Sequence, residues 1–395
     1  YQILDEFTIS FILVEPYAAL LDALTQPFFG IAHPDTFNSY SYLRYQYHQI
    51  GTGAFRLVEY LPGERIIIER NPAYTWAPEF LINNNVQNAV ERVEFRFIDD
   101  SVERLDGLQA GDFHIISELS PSEARSLVGN TSVQILPVEL PGASLALYLN
   151  TEQPPTDNPA FRQALLFAAN RTTLVDGAYE GFSSVSWGPI APNTQFYTQQ
   201  IVGAYSYDLA QAQQLLTSAG YMDTDGDNLL DFAGIPVEIT IAVPPQRQFP
   251  ELVEILNSQW AFLGITTNVQ SVPGQTRLNE VAQTGEYNLI AVETFGVDPV
   301  FMTDLYSSLS VENYSKVSNN EIDTLLRQAS IQSDVNLRAQ TYSQLQIQLM
   351  NAGLVLPIAD PVNVHAYSID VEGLRFDASG WYPVIYELSW RSQEQ

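Results

Sequence analysis

Apolar and polar positions along the chain fall into short patterns that predict alternating strands and helices. The clearest pattern lies between Gly51 and Trp76, GTGAFRLVEYLPGERIIIERNPAYTW. Two runs of strand-forming residues, 54–60 and 65–70, are joined by Leu61-Pro62-Gly63-Glu64. Pro62 presets φ for a turn and Gly63 can take the positive φ that follows, so the stretch predicts a β-hairpin. Upstream, residues 7–14 (FTISFILV) begin with period-two alternation and end as a continuous apolar run, which predicts a strand stopped by Pro16. Residues 17–24 then place Tyr17, Leu20, Leu21 and Leu24 on one helical face.

After the hairpin, residues 93–98 alternate as a half-exposed strand does. Asp99-Asp100-Ser101 supplies caps for a helix over 101–110 with Val102, Leu105 and Leu108 facing inward. Residues 113–116 follow as a strand. Ser120-Pro121 opens a helix with proline in its first turn, ending near Gly129. Residues 144–150 (SLALYLN) predict a strand, and Asp157-Asn158-Pro159 a capped helix running to Asn170-Arg171. Further helices are expected over 208–220, 250–263, 321–331 and 335–352, with strands at 237–243, 265–269, 287–292 and 354–358. Such alternation argues for an α/β architecture.

Length and charge narrow the picture. At 395 residues the chain exceeds what one core usually supports, so at least two lobes are expected. A formal charge of −29 disfavours a nucleic-acid partner, whose phosphates would be repelled. Lys316 is the only lysine, so no basic tract is available for anionic lipid heads. The absence of cysteine excludes thiol catalysis, cysteine-based zinc sites and disulfides. No apolar run reaches eighteen residues, so no transmembrane segment is expected, and the chain shows no signal-sequence pattern.

One loop has metal-binding spacing. Asp223, Asp225, Asp227 and Asp231 stand at positions one, three, five and nine of an EF-hand-type calcium loop. Position six is Asn228 instead of glycine, and position twelve is Gly234, which supplies no carboxylate. The two readings are a structural calcium brace and an acidic turn without an ion.

The 51–76 block closely resembles one of the large extracytoplasmic solute-binding proteins of family 5, the oligopeptide-, dipeptide- and nickel-binding proteins that serve ABC importers. Ala54 replaces the usual proline of that block, and Thr75 is inserted between Tyr74 and Trp76. Other segments resemble the family in the same order: DNPAFRQALLFAANR at 157–171, Tyr179-Glu180-Gly181 with Trp187-Gly188-Pro189-Ile190-Ala191-Pro192, and NYSKVSNNEID at 313–323. The resemblance runs from about residue 3 to residue 390. It implies a hinge-connected, two-lobed α/β fold of the periplasmic-binding-protein type (type II, class C), with the first lobe incomplete at the N-terminus. Implied segments are 1–45, a remnant of a small subdomain; 46–143, lobe I; 144–365, lobe II; and 366–395, a return to lobe I. Crossings are expected near 141–146 and 363–369.

The implied function is capture of a solute, a peptide above others, by closure of two lobes and its delivery to the permease subunits of an ABC importer. The protein would be a monomer, periplasmic or lipid-anchored at the cell surface, would break no bond and would require no cofactor. In peptide-binding members an acidic residue near the strand end pairs with the ligand's α-amino group, and Asp298 is the matching position. Tyr148, Trp187, Phe295 and Tyr314 would wall the cavity, with Asn150 and Asn313 giving polar contacts. Each has a plainer reading: an Asp-Pro turn for Asp298 and packing for Trp187. Arg162 and Arg171 could bind an anion or tie helices to neighbouring carboxylates.

The rival class is a secreted acidic hydrolase using a carboxylate pair. Nothing in the sequence selects such a pair. His33, His48, His114 and His365 are scattered without ligand spacing, and no nucleophile elbow, Walker A or dinucleotide fingerprint occurs.

Overall fold

The computed structural model describes residues 1–76 and 89–391, so parts of two expected segments, 77–88 and 392–395, lie outside the described residues. The chain divides into two compact units. The larger comprises Tyr1–Ala23 and Glu139–Val362, and the smaller Leu24–Val138 and Asn363–Gln395. The first 45 residues are thus shared between the two.

The larger unit is built on a five-stranded sheet. Its order is Thr266–Ser271, Glu238–Val243, Leu289–Val292, Leu145–Leu149, Val355–Ala359. The first three strands are parallel, and Leu145–Leu149 runs antiparallel to both its neighbours. Every residue of Leu145–Leu149, Leu289–Val292 and Val355–Ala359 is buried, as expected of strands covered on both faces.

Helices cover this sheet where the sequence caps them. Asn158 accepts the Ala160 amide at 2.9 Å and Pro159 opens the helix Pro159–Phe167. That helix stops earlier than expected. Asn170 caps a separate helix, Arg171–Tyr179, because its side chain takes the Thr173 amide that a continuous helix would have bonded internally. Phe249–Ala261 buries Trp260, whose Nε1 donates to the Leu165 carbonyl at 3.2 Å. A further helix, Gly274–Thr284, carries few apolar positions and was not foreseen.

The smaller unit holds the hairpin. Phe55–Leu61 and Arg65–Arg70 pair antiparallel around Gly63 at φ +73°, and Arg92–Arg96 adds a third strand. Helix Ser101–Ala110 starts at Asp100, which accepts the Val102 and Glu103 amides, and Pro121–Leu127 starts with a Ser120–Glu123 capping box. A second sheet orders Ile115–Ile116, Val362–Ser368, Val133–Glu139, with the strand latest in sequence at its centre.

The N-terminal segment departs from expectation. Only Thr8–Ser10 of the 7–14 run is a strand, paired with Gln2–Asp5, and the following helix is Leu20–Thr25. Among the described residues the apolar run meets no other strand, and Phe7 and Val14 stay fully exposed and Phe11 largely so. Among the described residues no helix is long and apolar enough to cross a membrane.

Candidate functional site

In open α/β sheets, ligands gather outside the carboxyl ends of the strands. In the larger unit, the ends of Glu238–Val243, Leu289–Val292 and Val355–Ala359 and the start of Leu145–Leu149 meet at one such edge. The residues just beyond these ends carry the unit's most unusual chemistry.

Arg247 follows the strand Glu238–Val243 and holds φ at +52°, a conformation costly for a side chain of its size. Its Nε lies 2.7 Å from one oxygen of Glu293 and 2.9 Å from the other. Glu293 is the first residue after Leu289–Val292. Burial pushes its carboxyl up, and the Arg247 guanidinium pulls the other way. The same guanidinium lies 5.6 Å from the ring centre of Phe295. Tyr179, buried at the end of its helix, senses both charges, and burial holds its hydroxyl protonated.

The neighbouring turn is fixed by close backbone approach. Gly142 bridges to Phe295, and the Ala143 amide donates to the Thr294 carbonyl at 2.8 Å. A Cβ at Gly142 would stand 2.3 Å from the Thr294 oxygen, and its φ is +142°, so only glycine fits here. Alongside, Ser144 donates to the Gly188 carbonyl at 2.7 Å and stands 2.5 Å from the Ser186 hydroxyl.

Of the seven residues expected to bind a ligand, two are half-exposed near this edge, Phe295 and Trp187. Trp187 lies with its ring 4.5 Å from the Arg171 guanidinium carbon. The other five are buried and served from within the larger unit. Asp298 is 4% exposed, and its carboxylate takes both Arg338 branches, at 2.5 and 2.8 Å, and the Val300 amide at 2.9 Å. Its cation is therefore supplied by the protein, which corrects the expectation that it anchors a ligand amine. Tyr148 is a fully buried core residue with the rings of Tyr306 and Tyr314 beside it. Tyr314 accepts the Tyr287 hydroxyl on its carbonyl at 2.7 Å. Asn150 donates to the Gly285 and Tyr287 carbonyls, and Asn313 closes a turn on Val317.

The two arginines also prove internal, but through carbonyls and not carboxylates. Arg162 donates to Thr156, Asp157 and Ala352. Arg171 donates to Ser186, Ala204 and Tyr205, and burial lowers it to about 10.

In the acidic loop, Asp223, Asp225 and Asp227 bring ligand oxygens within 4.8 Å of one another, all exposed. Asn228 takes φ +69°, supplying the left-handed turn that glycine gives at position six. Asp231 does not join them. It is buried, and its carboxylate accepts the Thr224 amide and hydroxyl at 3.0 and 2.5 Å.

Arg247, Glu293 and Tyr179 were not singled out by sequence reasoning. The signal that could have found the first two was position, since each lies within a few residues of a predicted strand's carboxyl end. Elsewhere on the unit, a depression of about 530 Å³ lies between residues 196–200 and the helix Val335–Asn351. Its lining, including Phe196, Gln200, Ser343 and Ile347, carries no charged side chain, so the charged edge is the stronger candidate.

Comparison with known proteins adds the following. The family profile of bacterial extracellular solute-binding proteins, family 5 Middle, matches residues 1–316. The chain is 27% identical over 349 residues to heme-binding protein A of Haemophilus influenzae, covering 86% of this chain and 59% of that protein. It is 24% identical over 391 residues to the dipeptide-binding protein of Escherichia coli, covering 95% of this chain and 69% of that protein. It thus spans about three-fifths to two-thirds of these relatives' length. Among solved structures, NikA from Brucella suis in complex with Fe(III)-EDTA superposes with a TM-score of 0.81 at 21% identity, over 96% of this chain and 76% of that one.

Proposed function

Because the chain belongs to the bacterial extracellular solute-binding proteins of family 5, we propose that it captures a peptide-like solute outside the cytoplasm for an ABC importer. The family is one of binding proteins, so no catalysis is assigned, and the carboxylate-pair hydrolase reading is set aside. Permease subunits are the proposed partners, and the protein acts as a monomer, free or lipid-anchored.

The half-buried Arg247–Glu293 pair at the strand ends carries this reading. Opening such a pair for a neutral ligand would strand two charges in a poorly hydrated place. A zwitterion replaces both halves at once: its carboxylate takes Arg247 and its ammonium takes Glu293. Charge-assisted bonds of this kind are about twice as strong as neutral ones. Phe295 and Trp187 offer apolar faces beside the two charges. The relatives' names include dipeptides and heme, and the zwitterion argument favours the peptide.

Native against denaturing mass spectrometry on the purified protein tests this. A retained mass matching a short peptide is expected, with Ala-Ala taken up after the solute is removed. Failure to bind any of a panel of free dipeptides would overturn the reading.

A second proposal concerns stability. The loop 223–231 holds a structural calcium ion on Asp223, Asp225 and Asp227, supported by their convergence and by the left-handed Asn228. No step of solute binding depends on it.

A further inference from the structure

A second carboxyl at the same edge keeps one oxygen without a protein partner. Asp360 follows the strand Val355–Ala359, is 5% exposed, and its Oδ1 has no hydrogen-bond partner among the described residues. Its backbone is tightly held. The Asp360 amide donates to the Ser184 carbonyl at 2.9 Å, and the Ser183 hydroxyl donates to the Asp360 carbonyl at 2.7 Å. Next to it, Leu140 donates its amide to the Pro361 carbonyl at 2.8 Å. The backbone at 360–361 is thus fixed to the 183–184 segment and to Leu140.

Donor accounting explains the open acceptor. Ser144 spends its hydroxyl proton on the Gly188 carbonyl, so the proton between Ser144 and Ser186 comes from Ser186. That proton serves Ser144 or the Asp360 carboxyl, not both. Arg171, which reaches the Ser186 carbonyl, is committed to it and to the carbonyls of Ala204 and Tyr205. The other titratable neighbours are Glu139, which repels, and Tyr197, which offers no positive charge. Burial pushes the Asp360 carboxyl up to about 7, against the pull of Ser186.

We propose that Asp360 is an acidic subsite for a primary ammonium carried by the solute in addition to its terminal charges. The inference rests on the edge site proposed above. Asp360 follows the strand two places along the sheet from the one that Glu293 follows. At strand spacings of 4.7–4.9 Å, that is an offset of about 10 Å, within reach of a lysine side chain in a dipeptide bound at Arg247 and Glu293. When the ammonium arrives, the Asp360 carboxyl ionises and releases its proton to the buffer. Affinity for such a solute then rises from pH 6 to pH 8 and levels off above.

The test is native mass spectrometry of the solute-free protein against an equimolar panel of Ala-Ala, Ala-Glu, Ala-Lys, Lys-Ala, putrescine and agmatine, followed by titration calorimetry of the winner. The expected result is about a tenfold preference for a lysine dipeptide over Ala-Ala, growing with pH. Asp360→Asn should abolish both the preference and the proton release, the latter read as dependence of the heat on buffer ionisation, while Ala-Ala binding persists. Retention of a diamine but no dipeptide, lost in Asp360→Asn, would support the subsite and sink the peptide reading, whereas a diamine retained equally by Asp360→Asn would overturn the subsite. Equal binding of neutral and lysine dipeptides would keep the peptide reading and overturn the subsite. So would a panel from which no cationic member is retained.

Discussion

Arg338 clasps Asp298 with both branches of its guanidinium, 40 residues away in sequence and inside the larger unit. Its Nε also donates to the Ala329 carbonyl at 2.8 Å, so one side chain joins the turn at 298 to two helices. Arg338→Met leaves the Asp298 carboxylate buried without its cation. A loss of about 3–5 kcal/mol is expected, as for other broken buried pairs. The double variant Asp298→Leu/Arg338→Met should recover much of it. Urea denaturation measures both, and solute affinity of the folded protein should be unchanged in either. A loss of affinity with unchanged stability would return Asp298 to the binding site.

Arg247 and Glu293 should separate the two ends of a bound dipeptide. Arg247→Gln is expected to weaken Ala-Ala binding about 10- to 100-fold, the value of one charge-assisted bond. It should also erase the discrimination against C-terminally amidated Ala-Ala. Glu293→Gln should do the same for the N-acetylated peptide. If both variants retain both preferences, the charges serve stability alone.

The two units should respond to pH with opposite sign. Asp360, in the larger unit, is raised to about 7 by burial. Its folded form binds the proton more tightly than the unfolded chain does, so stability of that unit falls as pH rises from about 4 to 7. His365, in the smaller unit, is held down to about 4 by burial: it is 1% exposed, stacks on Phe376 and shares a hydrogen bond with Ser117 at 3.0 Å. There the unfolded chain binds the proton more tightly, so stability of the smaller unit rises over about pH 4 to 6.5. Calorimetry between pH 4.5 and 6.5 should show two transitions moving in opposite directions. Asp360→Asn should flatten one and His365→Phe the other.

Calcium should raise the melting temperature. Saturation to 100 times the dissociation constant adds about 2.7 kcal/mol, worth a shift on the order of several degrees. EDTA should reverse it, and Asp225→Asn should remove most of it. An unchanged melting curve with millimolar calcium would leave the loop a plain acidic turn.

Much of the framework was legible because it depends on local pattern. The 54–70 hairpin follows from Pro62-Gly63, and the helix Ser101–Ala110 from its Asp100 cap and Gly111 stop at φ +83°. The sites were harder to read, since they depend on which distant groups meet. The sequence around Asp298 looks like a turn with an available carboxylate, and nothing local announces Arg338. Tyr148 sits on, and Asn150 directly follows, a strand flanked by the strands 289–292 and 355–359. Arg247 and Asp360 look ordinary until the sheet order brings their strand ends to one edge. The 7–14 run erred in the other direction: apolar alternation signals strand propensity, but a strand forms only where a partner is present.

The central position of Val362–Ser368 in the smaller unit's second sheet sets an order of assembly during synthesis. The strands flanking it, Ile115–Ile116 and Val133–Glu139, emerge from the ribosome more than 200 residues earlier. Until Val362–Ser368 appears, the facing edges of those two strands border an empty slot. The 139–362 body has all five strands of its own sheet by then and can fold first. A nascent or prematurely terminated chain therefore carries one finished unit and one open one. Exposed strand edges of the open unit are what a holding chaperone, or an aggregate, would recognise.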